Sequence, residues 1–254
     1  MNTIIKQSYQ LKNFSTDYED CRFAPQSPLT VIYVHGLLAN PWARKGNFLK
    51  KESQRLGVNY FRFELIGHGV DQANFKQADF ELWKQQLSDI ITNYVSGKII
   101  LVGHCIGAWL SLCIAEKFPE RIVGLLCLAA VPNLTDQLLK RASVEQRQTL
   151  EKTGIVKARL EKCCFTFTRK SWEAFEKNNL LRQETININC PVHLFHGLQD
   201  IFVDWHAILP LAAKMSSQHV IVKILKFGNH HLNDTTTFNE IKASLQDIMA
   251  HCQK

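Results

Sequence analysis

Six short apolar runs constrain this chain more than any other feature: "LTVIYVHG" (29–36), "VNYFRF" (58–63), "KIILVGH" (98–104), "IVGLLCLAA" (122–130), "VHLFHG" (192–197) and "VIVKILKF" (220–227). They are nearly continuous rather than alternating, which is the pattern of strands buried on both faces. Helical patterns separate them at roughly 41–56, 79–96, 106–118, 203–216 and 236–252. Strands alternating with helices predict βαβ units, hence an α/β fold with a mostly parallel central sheet flanked by helices. Residues 3–24 read as an N-terminal hairpin that extends the sheet at one edge. A chain of 254 residues accommodates such a fold as one domain.

One stretch breaks the rhythm. Residues 133–186 contain polar helical pattern and no strong strand. This segment is expected to be a helical cap, or lid, inserted into a core made of residues 1–132 and 187–254. A cap in that position covers a ligand site and excludes water.

The stretch "LVGHCIGAWL" (101–110) locates the chemistry. A strand that runs straight into a helix through Gly103-His104-Cys105-Ile106-Gly107 must bend sharply. The middle residue is forced into a strained backbone conformation between small neighbours. That turn exposes the Cys105 side chain at a helix N-terminus, where partial positive charge favours a thiolate nucleophile.

A nucleophile needs a base, and the base needs an orienting group. In "CPVHLFHGLQDIFVD" a strand ends at His196-Gly197 and Asp200 follows three residues later. The carboxyl end of a strand is where open α/β sheets bind ligands. Asp200 is the favoured orienting carboxylate, and its competitor Asp204 reads as a helix cap. In "LKFGNHHLND" either His230 or His231 is placed to be the base, with His230 preferred. At "YVHGLLAN" the backbone N–H of Leu37 points into the same crevice, and with the N–H of Ile106 it makes an oxyanion hole. His35 and His68 read as structural. His104, Trp42, Trp109 and His231 are candidate substrate-pocket residues, and Trp172 is a further aromatic in the same class.

In order and spacing, His35-Gly36, "ELIGHGVD" (64–71), the cysteine elbow, "HGLQD" and "GNHHL" resemble the landmarks of the α/β-hydrolase fold superfamily over nearly the whole chain. The resemblance implies the α/β-hydrolase fold and a Cys105–Asp200–His230 triad. The departure is the nucleophile, since most members carry serine in a G-x-S-x-G elbow. Cysteine occurs in dienelactone hydrolases, in polyhydroxyalkanoate synthases and in some acyltransferases and thioesterases of that superfamily. The expected activity is therefore an esterase or thioesterase working through an acyl-Cys intermediate. An acyltransferase using the same intermediate is one alternative, and a non-catalytic ligand receptor on the same scaffold is another.

Composition narrows the setting. The formal net charge is +7, yet the Lys and Arg residues are scattered. No dense basic run points to nucleic acid, and the balance fits an anionic CoA- or acyl-carrier-linked substrate. Eight cysteines occur without a C-x-x-C pair, so neither a zinc motif nor a disulfide framework is expected. The chemistry calls for no metal or organic cofactor. "MNTIIKQSYQLKNF" lacks the apolar run of a signal peptide, and no stretch reaches the ~18 apolar residues of a membrane span, so a cytoplasmic protein is expected.

Overall fold

The computed structural model describes residues 3–160 and 163–252, with side chains described outside 156–165. Its centre is an eight-stranded sheet. Two strands, β1 (Thr3–Leu11) and β2 (Phe14–Arg22), form the N-terminal hairpin. Next come β3 (Leu29–Val34), β4 (Asn59–Phe63), β5 (Lys98–His104) and β6 (Ile122–Leu128). The spatial order is β1-β2-β4-β3-β5-β6, followed by the two C-terminal strands Val192–Gly197 and Val220–Leu225. The hairpin strands are antiparallel to each other and β2 is antiparallel to β4, while the remaining neighbours are parallel.

The apolar runs become the central strands because helices cover both faces. On one face α2 (Phe80–Asn93) and α3 (Ile106–Lys117) bury Trp83, Leu87, Ile90, Trp109 and Leu112 against the sheet. On the other, α1 (Arg44–Arg55) and the C-terminal helix Thr235–His251 pack Leu49, Phe238, Ile241 and Leu245 over Val31, Tyr60, Ile100 and Leu126. The added hairpin is held to β4 by a buried ion cluster. Arg62 Nε donates to Glu19 Oε2 at 2.8 Å, and Lys50 Nζ donates to Oε1 at 2.9 Å.

Between β6 and Val192 lie α4 (Leu134–Arg141), α5 (Val144–Thr153), an antiparallel hairpin of β7 (Ile155–Leu160) and β8 (Cys163–Thr168), and α6 (Arg169–Lys177). The sequence led us to expect helix throughout this segment, and the hairpin is a correction. Its two strands are short, and each is flanked by strong helix caps. A Ser143 capping box opens α5 and Gly154 in the left-handed conformation ends it, while a Thr168 capping box opens α6. The strands pair with each other and not with the main sheet, so they lack the doubly buried apolar signature of the others.

The remaining strands are β9 (Val192–Gly197) and β10 (Val220–Leu225); α7 (Ile208–Ala213) lies between them, and α8 (Thr235–His251) closes the described chain. Among the described residues no helix is long and apolar enough to cross a membrane. The described cysteine side chains are free thiols; those of Cys163 and Cys164 lie outside the described residues.

Candidate active site

The site sits at the carboxyl ends of β3, β5, β9 and β10. Cys105 is the residue between β5 and α3 and takes φ 55°, ψ −116°. The turn is possible only with small neighbours. A Cβ on Gly107 would lie 2.2 Å from the Val34 carbonyl oxygen, and one on Gly103 would lie 2.4 Å from the Ala108 Cα. The glycines thus let α3 leave close against β3 and hold Cys105 in a conformation that L-residues rarely adopt.

Asp200 lies just past β9 and takes four hydrogen bonds. The N–H groups of Phe202 and Val203 donate to Oδ1 at 2.8 and 2.9 Å. His230 Nδ1 and His196 Nε2 donate to Oδ2 at 2.8 and 2.9 Å. Burial raises the carboxyl pKa, but these donors outweigh it and hold the group well below the usual carboxylate range. With Nδ1–H committed to Asp200, the other ring nitrogen of His230 is left free to face Cys105, whose charge acts on the imidazole. Burial pulls the His230 pKa down. The Cys105 charge and the bond to Asp200 more than reverse this, and the imidazole is pushed up to about 10. Cys105 is 7% exposed and His230 5% exposed, so the pair is largely shielded from water.

The structure thus brings Cys105, His230 and Asp200 together. Asp204 instead caps the following turn by accepting from the His206 N–H, and His231 is exposed beside His230. Among the described residues, neither the Leu37 nor the Ile106 backbone N–H donates to another protein group. Leu37 follows the β3 turn and Ile106 opens α3, on either side of Cys105. Gly36 between them is close-set, since a Cβ there would lie 3.1 Å from that of Cys105.

Three expected pocket residues prove to have other placements. His104 is buried and donates from Nε2 to the His230 carbonyl oxygen at 2.8 Å, so it fixes the histidine loop instead of lining a pocket. Burial and the neighbouring Lys45 charge hold it neutral. Trp109 is fully buried, packs its ring on Phe80 and donates to the Asn178 carbonyl at 2.8 Å. Trp42 donates to Glu64 Oε1 at 3.0 Å, carries the Arg62 guanidinium on its face and lines a groove with Lys6, Asp17 and Tyr18 on the hairpin side. His35 is structural as expected: it donates from Nδ1 to the Gly36 carbonyl and accepts the Leu65 N–H at Nε2.

Two site residues escaped the sequence reading. One is His196, the second imidazole on Asp200. The other is Lys45, 5% exposed in the first turn of α1, whose Nζ donates to the His231 carbonyl at 2.6 Å. Burial pushes its pKa down to about 7, and the Cys105 charge resists that fall. The carbonyls of His230 and His231 are therefore each held by a buried side chain.

Comparison with known proteins gives the same architecture. A family model described as the alpha/beta hydrolase fold matches residues 30–154. The mitochondrial palmitoyl-protein thioesterase ABHD10 of Rattus norvegicus is 24% identical over 221 residues, covering 86% of this chain and 74% of that protein. The structure of alpha/beta hydrolase domain-containing protein 10 from mouse superposes with a TM-score of 0.86 at 23% identity, covering 97% of this chain and 98% of that one. Est1E from Butyrivibrio proteoclasticus, solved with ferulic acid bound, superposes with a TM-score of 0.78 at 12% identity, covering 96% and 98%.

Proposed function

On the α/β-hydrolase fold that this chain adopts, we propose a hydrolase that cleaves acyl thioesters through an acyl-Cys105 intermediate. The observation that carries this reading is Cys105 held at the strained elbow turn beside His230, whose Nδ1 is fixed by Asp200 at 2.8 Å. The palmitoyl-protein thioesterase activity of the ABHD10 relatives supports it.

His230 takes the Cys105 proton, and the imidazolium so formed stays beside the thiolate. The thiolate attacks the substrate carbonyl, and the C–S bond forms as the carbonyl π electrons move to oxygen. The Leu37 and Ile106 N–H groups receive that oxyanion. When the intermediate collapses, the bond to the leaving sulfur breaks and His230 gives it the proton. Neutral His230 then takes a proton from water, hydroxide adds to the acyl-Cys carbonyl, and collapse of the second intermediate returns the Cys105 thiolate and protonated His230 at the acid's release. Asp200 holds the imidazole in the required tautomer throughout.

Cysteine favours a thioester over an oxygen ester. A tetrahedral intermediate expels its better leaving group, and a thiolate leaves far more readily than an alkoxide. On an oxygen ester Cys105 would tend to be expelled and the substrate re-formed. On a thioester the two sulfurs compete evenly, and protonation by His230 decides the direction.

The test is intact-mass analysis during reaction with palmitoyl- and butyryl-CoA, an S-acyl peptide and matched p-nitrophenyl esters. The expected result is a transient acyl adduct on Cys105, free thiol release, and loss of both in Cys105→Ala. An adduct that persists in water until an amine or alcohol is supplied would replace hydrolysis with acyl transfer. Turnover retained in Cys105→Ala would overturn the assignment.

A further inference from the structure

We propose that His193, His219 and Asp247 form a binding site for one divalent transition-metal ion of the zinc class. The site lies at the amino ends of β9 and β10, opposite the active site. His193 is the second residue of β9, His219 immediately precedes β10, and Asp247 projects from the last third of α8. His196, on the same strand as His193, reaches Asp200; the two histidines are three residues apart, or about 10 Å along a strand.

The distances fit a shared ion. His193 Nε2 is 3.1 Å and His219 Nε2 is 3.3 Å from the same oxygen, Asp247 Oδ2. A tetrahedral zinc centre with bonds of about 2.0–2.1 Å has ligand-to-ligand edges of about 3.3–3.4 Å. All three donor atoms lie within 4.8 Å of one another. A small swing of His219, which is one-third exposed, closes the remaining edge.

The second observation concerns His193. It is 1% exposed and neither of its ring nitrogens has a hydrogen-bond partner. Nε2 lies close enough to the carboxylate for a hydrogen bond but is not directed at it. A buried polar group left in that state is costly. The arrangement is explained if the imidazole lone pair and the carboxylate oxygen both point at a third position between them. Asp247 is 43% exposed, which leaves a path for the ion and room for a water as fourth ligand. His251, one turn beyond Asp247, packs its ring on His219 with centroids 3.9 Å apart and limits its movement. Two imidazoles and one carboxylate select zinc, copper or nickel over calcium or magnesium, which prefer oxygen donors. An ion held here ties α8 to β9 and to the start of β10, so its binding strengthens the closure of the C-terminal half of the sheet.

Tag-free protein would be titrated with Zn2+ and Co2+, with metal content read after gel filtration and unfolding followed by calorimetry. His219→Ala and Asp247→Asn serve as variants because both side chains are part-exposed and stand away from Cys105. The expected result is one ion per chain, an increase of about 100-fold in the folding constant at about 100-fold excess over Kd, and a loss of at least about 10-fold in affinity in each variant. Bound cobalt should show four-coordinate visible bands without a thiolate charge-transfer band. Equal binding by the variants, a thiolate band that places the ion on cysteines, or the absence of uptake would each overturn the proposal.

Discussion

Lys45 is the residue whose placement departs furthest from local rules. It occupies the first turn of α1, where the helix dipole disfavours a cation, and that turn contains no acidic side chain. It is also buried, which further disfavours its charge. Its compensation lies across the site, in the His231 carbonyl at 2.6 Å and the charge of Cys105. Residues that break local rules at a price in stability concentrate at functional sites. Lys45→Met keeps the stem and removes both interactions, at a cost of about 1–3 kcal/mol. Thioester kcat/KM should fall about 10- to 100-fold, and iodoacetamide should alkylate Cys105 more slowly. The alkaline limb should remain. His230 has a raised pKa, so its charged form is present at low pH and is lost as pH rises through about 10. The kcat/KM profile of wild type and variant should therefore both decline near pH 10. An unchanged rate in Lys45→Met would reduce the residue to loop packing.

At the scale of elements, the inserted segment is fastened to the core through a few identifiable bonds. Trp109, one turn into α3, donates to the Asn178 carbonyl at the end of α6. The Asn178 side chain also donates to Glu81 and accepts from Lys84, both on α2. At the other end Arg141 of α4 donates to the Phe202 carbonyl at 2.8 Å, and Gln137 accepts the Asp204 N–H at 3.1 Å. These last bonds grip the loop that contains Asp200, while the Phe202 ring stands edge-on to His230 at 5.6 Å. Trp109→Phe preserves the ring stack and deletes one buried bond. Hydrogen exchange should accelerate across 169–182 and not in β5, with a Tm lower by about 2–10 °C. Equal acceleration in β5 would mean that the bond supports the whole fold and not this attachment.

The same scale explains what the sequence made legible. The central strands were readable because burial on both faces requires apolar residues in succession, as in "IILV" before the elbow. Cys105, Asp200 and His230 stood out in the sequence because each follows the end of such a strand. The β7–β8 hairpin was not, since "IVKARL" pairs only with its own neighbour and is embedded in helical pattern. Lys45 looks like Arg44, Lys50 and Lys51 around it, and nothing local marks it as buried. His196 stands at its strand end, and nothing local in the sequence signals that it bonds to Asp200. The cluster of His193, His219 and Asp247 is assembled by topology across more than fifty residues and has no motif.

For the whole molecule, the distribution of charge matters more than its sum. Residues 135–185 contain 11 Lys/Arg against 7 Asp/Glu, so this fifth of the chain supplies four of the seven net positive charges. That segment is the one fastened over the loop of Asp200, through Arg141 and Gln137. On the proposed thioesterase reading, an anionic acyl-CoA would be attracted by this positively charged segment, whereas a neutral ester would not. Such steering acts on association and is screened over a Debye length of about 10 Å at 0.1 M salt and about 3 Å at 1 M. Between about 0.05 and 0.5 M NaCl, kcat/KM for butyryl-CoA should fall several-fold through KM, while kcat stays constant. Over the same range p-nitrophenyl butyrate should change little, because only its acyl group is shared. Replacing Lys140, Lys152 and Lys177 with glutamine should flatten the CoA dependence without altering the ester rate. A salt response of equal size for both substrates would assign it to the catalytic ion pair, and the positive segment would then have no part in choosing the substrate.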